Sequence, residues 1–204
     1  MQTRSKLLDI GALHGIFSLA FTQGRSGSHA LAIEPSPVAY SRLEFNIRSN
    51  PGCCIQALKL ALSDHEGELS MYSDWEHVKA VGTSPAPCSN LQIIPAKTGD
   101  RVCSMEKFEP DLIKIDVEGY EWQCLVGLKE ILRRSQALIF LEIHPEMMKD
   151  YGRSPSDLVD ILTDQGYTFM NHDMSLLCHE AVRSLKTITR IIVVPEPYLH
   201  SPRQ

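Results

Sequence analysis

The stretch Leu7–Gly15, which reads L-L-D-I-G-A-L-H-G, constrains the fold most, because an apolar strand in it runs directly into a glycine turn and then a helix. Gly11 has no Cβ that would block a ligand, and Gly15 lets the helix pack closely on the strand. Turns of this kind bind nucleotides in doubly wound α/β proteins. The dinucleotide fingerprint G-x-G-x-x-G is replaced by D-x-G-x-x-x-G, which begins at Asp9. The stretch therefore predicts a cofactor turn, with an ordinary strand-to-helix turn as the alternative.

The composition sets the size and class of the protein. A chain of 204 residues that is 43% hydrophobic can bury one sizeable core, so we expect a single domain, 1–204, with its core over 7–195. A net charge of −5 argues against general nucleic-acid binding, which needs a clustered cationic face. Since no apolar run is long enough to span a bilayer and none resembles a signal peptide, we expect a cytoplasmic protein without membrane association.

Five apolar runs end in polar residues, as is typical of buried parallel strands whose carboxyl ends share one edge of a sheet. The first is the run before Gly11. The other four carry, at their ends, Glu34 with Pro35, Ser63 with Asp64, Asp116 with Glu118, and Glu142 with His144. Runs at 168–171 and 189–194 predict the last two strands, the latter antiparallel, which completes a seven-stranded sheet.

Glu34 follows Gly11 by 23 positions, close to the spacing of about 20 residues at which an acid reaches the ribose hydroxyls of a bound nucleoside. We therefore expect Glu34 to bind ribose, with a solvated loop acid as the alternative. Ser63 and Asp64 are expected beside the base, where a short polar side chain accepts a hydrogen bond from an adenine amino group. A turn or helix-capping role is the alternative for Asp64.

Asp116 and Glu118 follow the fourth predicted strand. If the strand order reverses after the first strand, the fourth strand lies beside the first. Asp116 and Glu118 then face Asp9 and Gly11 across the crevice at the switch point, so both strands open on one cleft.

The segment 73–99 is predicted to be a loop, because glycine and prolines interrupt any periodicity there, at Gly82, Pro85, Pro87 and Pro95. Long loops in compact domains often bind ligands. We expect Tyr72, Trp75 and His77 either to line a substrate mouth or to pack on the surface.

With apolar strands that end in these polar residues, the chain resembles the FkbM family of methyltransferases that use S-adenosyl-L-methionine (SAM), over Leu7 to about Asp173. The run I-K-I-D-V-E-G at 113–119 is the most specific part of the match. The other matching segments are D-I-G-A at 9–12 with Gly15, I-E-P at 33–35, A-L-S-D at 61–64 with Gly67, T-G-D at 98–100, Glu121, and L-E-I-H at 141–144. The chain departs from the family pattern at Leu13, where Asn is common.

The resemblance implies a Rossmann-like, doubly wound, mostly parallel sheet with helices on both faces, SAM as methyl donor, and transfer to a hydroxyl of a sugar or secondary metabolite. Together with the positions of polar residues at strand ends, the resemblance assigns cofactor binding to Asp9, Gly11, Ala12, Gly15, Glu34, Pro35, Ser63, Asp64 and Asp116.

Methyl transfer to a hydroxyl also requires proton transfer, because a neutral hydroxyl is a poor nucleophile and must lose its proton. We expect His144 to be the base or to orient it, and Glu118 to lie close to the acceptor. Together with Glu142, these two residues form the expected catalytic group. A role in capping or solvating the following helix is the alternative for Glu118 and for Glu121. We assign no metal, because the spacing of these acids is not diagnostic of ligands, although together with Asp116 they offer enough donors for one divalent ion.

Two other functions fit the same pattern. The first is an NAD-dependent oxidoreductase with Glu34 on the adenosine ribose, against which the missing fingerprint glycines argue. The second is a non-catalytic SAM-binding module, suggested by Leu13 and by the few residues that precede the first strand. The sequence does not identify the acceptor or the oligomeric state.

Overall fold

The computed structural model describes residues 5–74, 77–82 and 91–196. Its strands are β1 (Lys6–Ile10), β2 (His29–Ile33), β3 (Ile55–Leu58), β4 (Ala61–Leu62), β5 (Gly67–Asp74), β6 (His77–Ala80), β7 (Leu91–Lys97), β8 (Leu112–Ile115), β9 (Leu138–Ile143), β10 (Tyr167–Met170), β11 (Leu176–Leu177) and β12 (Thr189–Pro195). Its helices are α1 (Ile16–Thr22), α2 (Pro37–Ser49), α3 (Gly99–Met105), α4 (Glu121–Val126), α5 (Lys129–Ser135), α6 (Pro145–Met148), α7 (Pro155–Asp164) and α8 (His179–Arg183), with a 3₁₀ turn at Lys149–Tyr151.

The main sheet has the strand order β11-β10-β12-β9-β8-β1-β2-β3. The strands β3, β2, β1, β8 and β9 are parallel, and β12 runs antiparallel to β9. The order reverses at β1, so the carboxyl ends of β1, β2 and β8 surround one switch point. The predicted doubly wound class and the antiparallel last strand are confirmed. The sheet has eight strands instead of seven, because the two-residue strand β11 pairs with β10.

Helices cover both faces of this sheet. The larger core lies on one face, where the strands pack against α4, α5, α7 and α8 through side chains such as Leu125, Leu132 and Leu158. On the opposite face, α1 and α2 contribute Phe21 and Leu43. Continuous burial of β1 and β8 follows from this two-sided packing, which explains why their sequences are almost uninterrupted apolar runs.

A second, four-stranded sheet has the order β4-β7-β5-β6. The prediction of a loop over 73–99 is therefore wrong for residues 73–74, 77–80 and 91–97, which form strands. The strand β7 alternates in exposure, with Ile93 exposed and Ile94 buried, as one-sided packing requires. Pro95 misled the sequence reading, but it is compatible with β7 because the neighbouring β4 pairs only with Ala96 and Lys97.

The third predicted strand, which is the apolar run before Ser63, is divided between the two sheets as β3 and β4. Trp75 and the side chain of His77 lie outside the described part of the chain, so their expected place at a substrate mouth stays a prediction. Within the described residues, every helix is too short or too polar to cross a lipid bilayer.

Candidate active site

The turn after β1 is built on two glycines in the left-handed region, Gly11 at φ +73° and Gly15 at φ +80°. A Cβ on Gly11 would lie 1.9 Å from the carbonyl oxygen of Asp116, and a Cβ on Gly15 would lie 2.4 Å from Cδ1 of Leu43. Gly11 therefore lets the end of β8 reach the turn, whereas Gly15 lets α2 pack beneath it. Ala12, between them, is nearly buried.

Glu34 joins the end of β2 to this turn. Its Oε2 accepts a hydrogen bond from the Leu13 N–H at 2.7 Å, and its Oε1 accepts one from the Ser36 N–H at 2.8 Å. The side chain is 4% exposed, and this burial raises the pKa of Glu34. The same carboxylate lines a cleft beside the turn, together with Pro35.

Asp9 lies behind the turn and is fully buried. The Ser18 hydroxyl donates to its Oδ2 at 2.6 Å, and Lys114 Nζ lies 3.6 Å from its Oδ1. Burial raises the pKa of Asp9. Asp9 has no accessible surface and supports the turn from within, and the cofactor contact expected of it stays a prediction.

Lys114 is a residue that the sequence reasoning missed. Its Nζ donates to the Gly11 carbonyl at 2.6 Å and lies 3.3 Å from Asp116 Oδ2. Lys114 therefore links the glycine turn, the buried Asp9 and the acid at the end of β8. The available signal was a single lysine inside the otherwise apolar strand I-K-I.

The cleft beside the turn has an empty volume of about 740 Å³, part of which is open to solvent. Its polar side is formed by Glu34, Asp116 and Glu118 with the backbone of Gly11. Much of its apolar wall comes from the second sheet and from α4 with the residue before it, through Ala61, Leu62, Leu69, Met71, Ala80, Tyr120 and Cys124. Acids that end separate parallel strands thus converge on one cleft.

Ser63 and Asp64 lie outside this wall in the part of the chain that the structure describes. Ser63 is fully buried, and its Oγ lies 3.0 Å from Asp64 Oδ1 and 3.2 Å from the Tyr120 hydroxyl. Asp64 Oδ1 is 2.7 Å from His65 Nδ1. Partial burial opposes ionisation, but the hydrogen bonds from His65 and Ser63 lower the pKa of Asp64. The two residues form a polar cluster next to the cleft, and the neighbouring Leu62 is the one that faces it.

His144 lies at the centre of a second group of polar side chains. Its Nδ1 is 2.7 Å from Glu121 Oε1, which also accepts the Gly119 N–H at 3.0 Å. Both partners are buried, His144 at 3% and Glu121 at 0% exposure. Glu121 therefore orients the imidazole, and it does not solvate the helix that it begins. Sequence reasoning missed this pairing because the two residues are 23 positions apart.

The other imidazole nitrogen, His144 Nε2, faces three carboxylates. It lies 3.9 Å from Asp116 Oδ1, 3.9 Å from Glu118 Oε2 and 3.8 Å from Glu142 Oε1. Burial by itself lowers the pKa of His144, but the hydrogen bond and charge of Glu121, with the charges of Glu118 and Asp116, raise it overall. The four residues predicted at the ends of β8 and β9 are thus brought together.

Arg190, on the adjacent strand β12, holds Glu142 from the other side. Its Nε and terminal nitrogen donate to the two carboxylate oxygens of Glu142 at 2.7 and 2.9 Å. Such paired contacts fix the orientation of a carboxylate. Glu142 is therefore held between Arg190 and the group around His144.

A second cleft, with an empty volume of about 1330 Å³, opens on the opposite side of the turn. Phe17, Phe140, His172 and Arg190 line it. The rings of Phe17 and Phe140 meet edge to face with centroids 5.7 Å apart. The two clefts share Gly11, Leu13 and Asp116, so Asp116 stands at the passage between them.

The comparison with known protein families agrees with this geometry. Residues 9–169 match the model of the methyltransferase FkbM domain. The chain belongs to the FkbM methyltransferase family. The match includes the glycine turn, the first cleft and the group around His144, whereas His172, Arg190 and Ile191 of the second cleft lie outside it.

One curated relative of this FkbM chain is the hexuronic acid methyltransferase AglP of Haloferax volcanii, which is 30% identical over 138 residues. The match covers 67% of this chain and 54% of AglP, so the chain spans about half the length of that relative.

Two solved structures share the fold. The methyltransferase FkbM from Methylobacillus flagellatus KT has a TM-score of 0.62 at 15% identity, over 94% of this chain and 43% of that one. The magnesium protoporphyrin IX methyltransferase ChlM of Synechocystis PCC 6803, solved with bound SAM, has a TM-score of 0.50 at 12% identity, over 93% and 69% of the two chains. These neighbours establish a methyltransferase fold.

Two residues at the site have an unusual backbone conformation. Leu13, where the family commonly has Asn, has φ +49°, and Glu118 has φ +53°. Asn adopts this left-handed conformation more readily than other residues with a Cβ. Both strained residues line the first cleft, which places backbone strain at the candidate site.

Proposed function

We propose that this FkbM protein is a SAM-dependent O-methyltransferase that acts on a hydroxyl group of a sugar or another small secondary metabolite. The observation that carries the proposal is the convergence of Glu34, from the end of β2, and Asp116, from the end of β8, on one cleft beside the Gly11 turn.

The chemistry of the first cleft fits SAM. Each oxygen of Glu34 accepts one backbone N–H and keeps a second lone pair for a ribose hydroxyl. The apolar wall around Leu62 and Met71 suits an adenine ring. The carboxylates of Asp116 and Glu118 suit the positive charges of the amino-acid end and the sulfonium. When bound, SAM supplies an electrophilic methyl group.

The second cleft is the proposed acceptor site. It joins the first at Asp116, so an acceptor there lies next to the donor methyl group. Positioning the two reactants at contact distance is the main contribution that a methyltransferase makes to the rate. The similarity to a hexuronic acid methyltransferase supports a sugar acceptor, and the aromatic side chains of Phe17 and Phe140 offer faces suited to a sugar ring.

The acceptor hydroxyl loses its proton to the group around His144. Glu121 accepts the Nδ1–H of His144 and so directs Nε2 towards Asp116, Glu118 and Glu142. General bases act through such fixed geometry. His144, Glu118 and Glu142 are the proposed catalytic residues, and Glu121 is a positioning residue.

The experiment that tests the proposal is calorimetry with SAM and with NAD on the same preparation, followed by an assay of S-adenosylhomocysteine release with uronic acid and neutral sugar acceptors. We expect SAM to bind, NAD not to bind, and product to form with at least one sugar. Binding of NAD alone would instead establish the oxidoreductase alternative. SAM binding without product from any acceptor would indicate the non-catalytic module.

A further inference from the structure

We propose that Asp116, Glu142 and His144 bind one divalent transition-metal ion at the passage between the two clefts. One oxygen of each carboxylate and one imidazole nitrogen lie within 4.8 Å of one another. The three residues come from the ends of the neighbouring strands β8 and β9. The sequence spacing predicted no such site, because the fold alone brings the donors together.

The distances between these donors favour a shared ion over direct contacts. His144 Nε2 lies 3.9 Å from Asp116 Oδ1 and 3.8 Å from Glu142 Oε1, too far for hydrogen bonds. Two ligands that each lie about 2.1 Å from an octahedral ion are about 3.0 Å apart when adjacent and about 4.2 Å apart when opposite. The two separations from His144 fall between these limits, and the two carboxylate oxygens lie within 4.8 Å of each other, so an ion fits once the side chains shift.

The buried imidazole is an independent indication. His144 is 3% exposed, and its Nε2 makes no hydrogen bond to any residue in the part of the chain that the structure describes. Its Nδ1 is held by the buried Glu121, and a carboxylate on the far nitrogen is the arrangement that orients histidines on metals. The arrangement leaves Nε2 directed at the two carboxylates.

The local charge also favours a cation. Asp116, Glu118, Glu121 and Glu142 place four carboxylates around one imidazole. Lys114 and Arg190 lie beside Asp116 and Glu142, but Lys114 also lies near the buried Asp9. A divalent ion between Asp116 and Glu142 reduces the remaining repulsion.

The donor set selects the kind of ion. An imidazole with two carboxylates suits Mn²⁺, Fe²⁺, Co²⁺ or Zn²⁺ better than Mg²⁺ or Ca²⁺, which prefer oxygen ligands only. Three protein ligands leave positions open for oxygens of the acceptor. The ion is therefore proposed to bind the acceptor and to lower the pKa of its hydroxyl.

The role of the ion rests on the proposed function, whereas its binding does not. In that role, the hydroxyl proton passes to the Glu118 carboxylate as the oxygen forms its bond to the methyl carbon. The carbon–sulfur bond breaks with its electron pair on sulfur, which leaves neutral S-adenosylhomocysteine. Glu118 is the base in this arrangement, since the His144 nitrogen holds the ion.

The test is a titration of chelator-treated, dialysed protein with MnCl₂ in the absence of SAM and acceptor. Electron paramagnetic resonance measures free Mn²⁺, and calorimetry measures the number of sites. We expect one ion per chain, with affinity at least tenfold lower in Glu142→Gln and in His144→Ala, and about tenfold lower in Glu121→Gln. Glu146→Gln, which changes an exposed acid paired with Lys149, is the matched control and should bind as the wild type does.

Two results would overturn the inference: no saturable Mn²⁺ binding by the wild-type protein, or equal binding by wild type and Glu142→Gln. The latter variant keeps the shape of the side chain, so it addresses the case in which His144→Ala fails to fold. Full methyl transfer in excess chelator, with no Mn²⁺ binding, would remove the ion and leave the proposed function intact. Mn²⁺ binding without SAM binding would support the ion site and contradict the proposed function.

Discussion

The cofactor side and the acceptor side of this site are built differently. On the cofactor side, the Gly11 and Ala12 N–H groups both donate to the Ile33 carbonyl at 3.0 Å, and the Leu13 N–H donates to Glu34 at 2.7 Å. On the acceptor side, His144 Nε2 lies 3.8 to 3.9 Å from three carboxylates and makes no hydrogen bond to a described residue. The turn on the cofactor side is closed by its own hydrogen bonds, whereas on the acceptor side the imidazole nitrogen and the carboxylates face one another beyond hydrogen-bond distance.

This difference separates two kinds of requirement on the sequence. The cofactor side depends on backbone shape, so its sensitive positions are those where a side chain or a φ value matters. The acceptor side depends on charge and donor type, so its sensitive positions are ionisable groups. Substitutions on the two sides should therefore affect different measurements.

The largest effect is expected for Gly11→Ala. The new Cβ would lie 1.9 Å from the Asp116 carbonyl oxygen, in a backbone conformation of φ +73°. Both the turn and the end of β8 must move, at a cost of about 3 kcal/mol or more in the free energy of unfolding. Urea denaturation measures this cost, and calorimetry should show loss of SAM binding.

The matched control is Gly24→Ala. Gly24 has a similar φ of +67°, but no described heavy atom lies within 4 Å of its Cβ position. Only the conformational cost of about 1–2 kcal/mol should remain, with SAM binding intact. Equal destabilisation in the two variants would contradict a steric role for Gly11.

The next effect separates turnover from cofactor binding. His144→Ala should lower the rate of methyl transfer by about 10²–10⁴-fold, because the variant lacks the side chain that assists proton transfer from the acceptor hydroxyl or binds the proposed metal ion. SAM affinity should change far less, since His144 lies outside the described lining of the first cleft. Steady-state kinetics and calorimetry on the same variant check this, and similar losses in both would contradict it.

Glu34→Gln addresses the cofactor side without changing its shape. The amide can accept only one of the two backbone N–H groups and sets an N–H donor against the other, so we expect SAM affinity to fall by about 1–3 kcal/mol. Turnover of the saturated enzyme should change little. An unchanged affinity would exclude Glu34 from the ribose site.

The raised pKa of Glu34 gives this comparison a pH dependence. Because burial raises this pKa, the carboxylate takes up a proton at a higher pH than an exposed glutamate does. As the pH is lowered, SAM affinity should therefore begin to fall at a higher pH than it would with an exposed glutamate, since the protonated form accepts hydrogen bonds more weakly. Calorimetry across a pH series should show that Glu34→Gln lacks this early fall.

The sequence predicted the strands, the reversal at β1 and the convergence of Glu34 with Asp116, because each depends on an uninterrupted apolar run that ends in a polar residue. It did not predict the burial of Asp9, since a carboxylate at a strand end reads the same whether it faces a ligand or lies beneath the turn with Lys114. Glu121 and His144 belong to separate elements that tertiary packing brings together, and local sequence patterns do not predict such contacts. The strand β7 of the second sheet was missed because proline disfavours strands, but Pro95 is tolerated where β7 has no partner on one side.

The smallest effect is expected at Leu13, and it sharpens the comparison because it should be a gain. Leu13 has φ +49°, which costs a leucine more than an asparagine, so Leu13→Asn should raise the free energy of unfolding by about 1 kcal/mol. The new amide also faces the first cleft, so SAM affinity should rise as well. Lys107→Asn is the matched control, because Lys107 has φ +51° but lies outside the described lining of both clefts. It should gain stability alone. If Leu13→Asn lowers stability while Lys107→Asn raises it, apolar contacts of Leu13 outweigh its backbone strain, and the family's Asn has a purpose other than conformation.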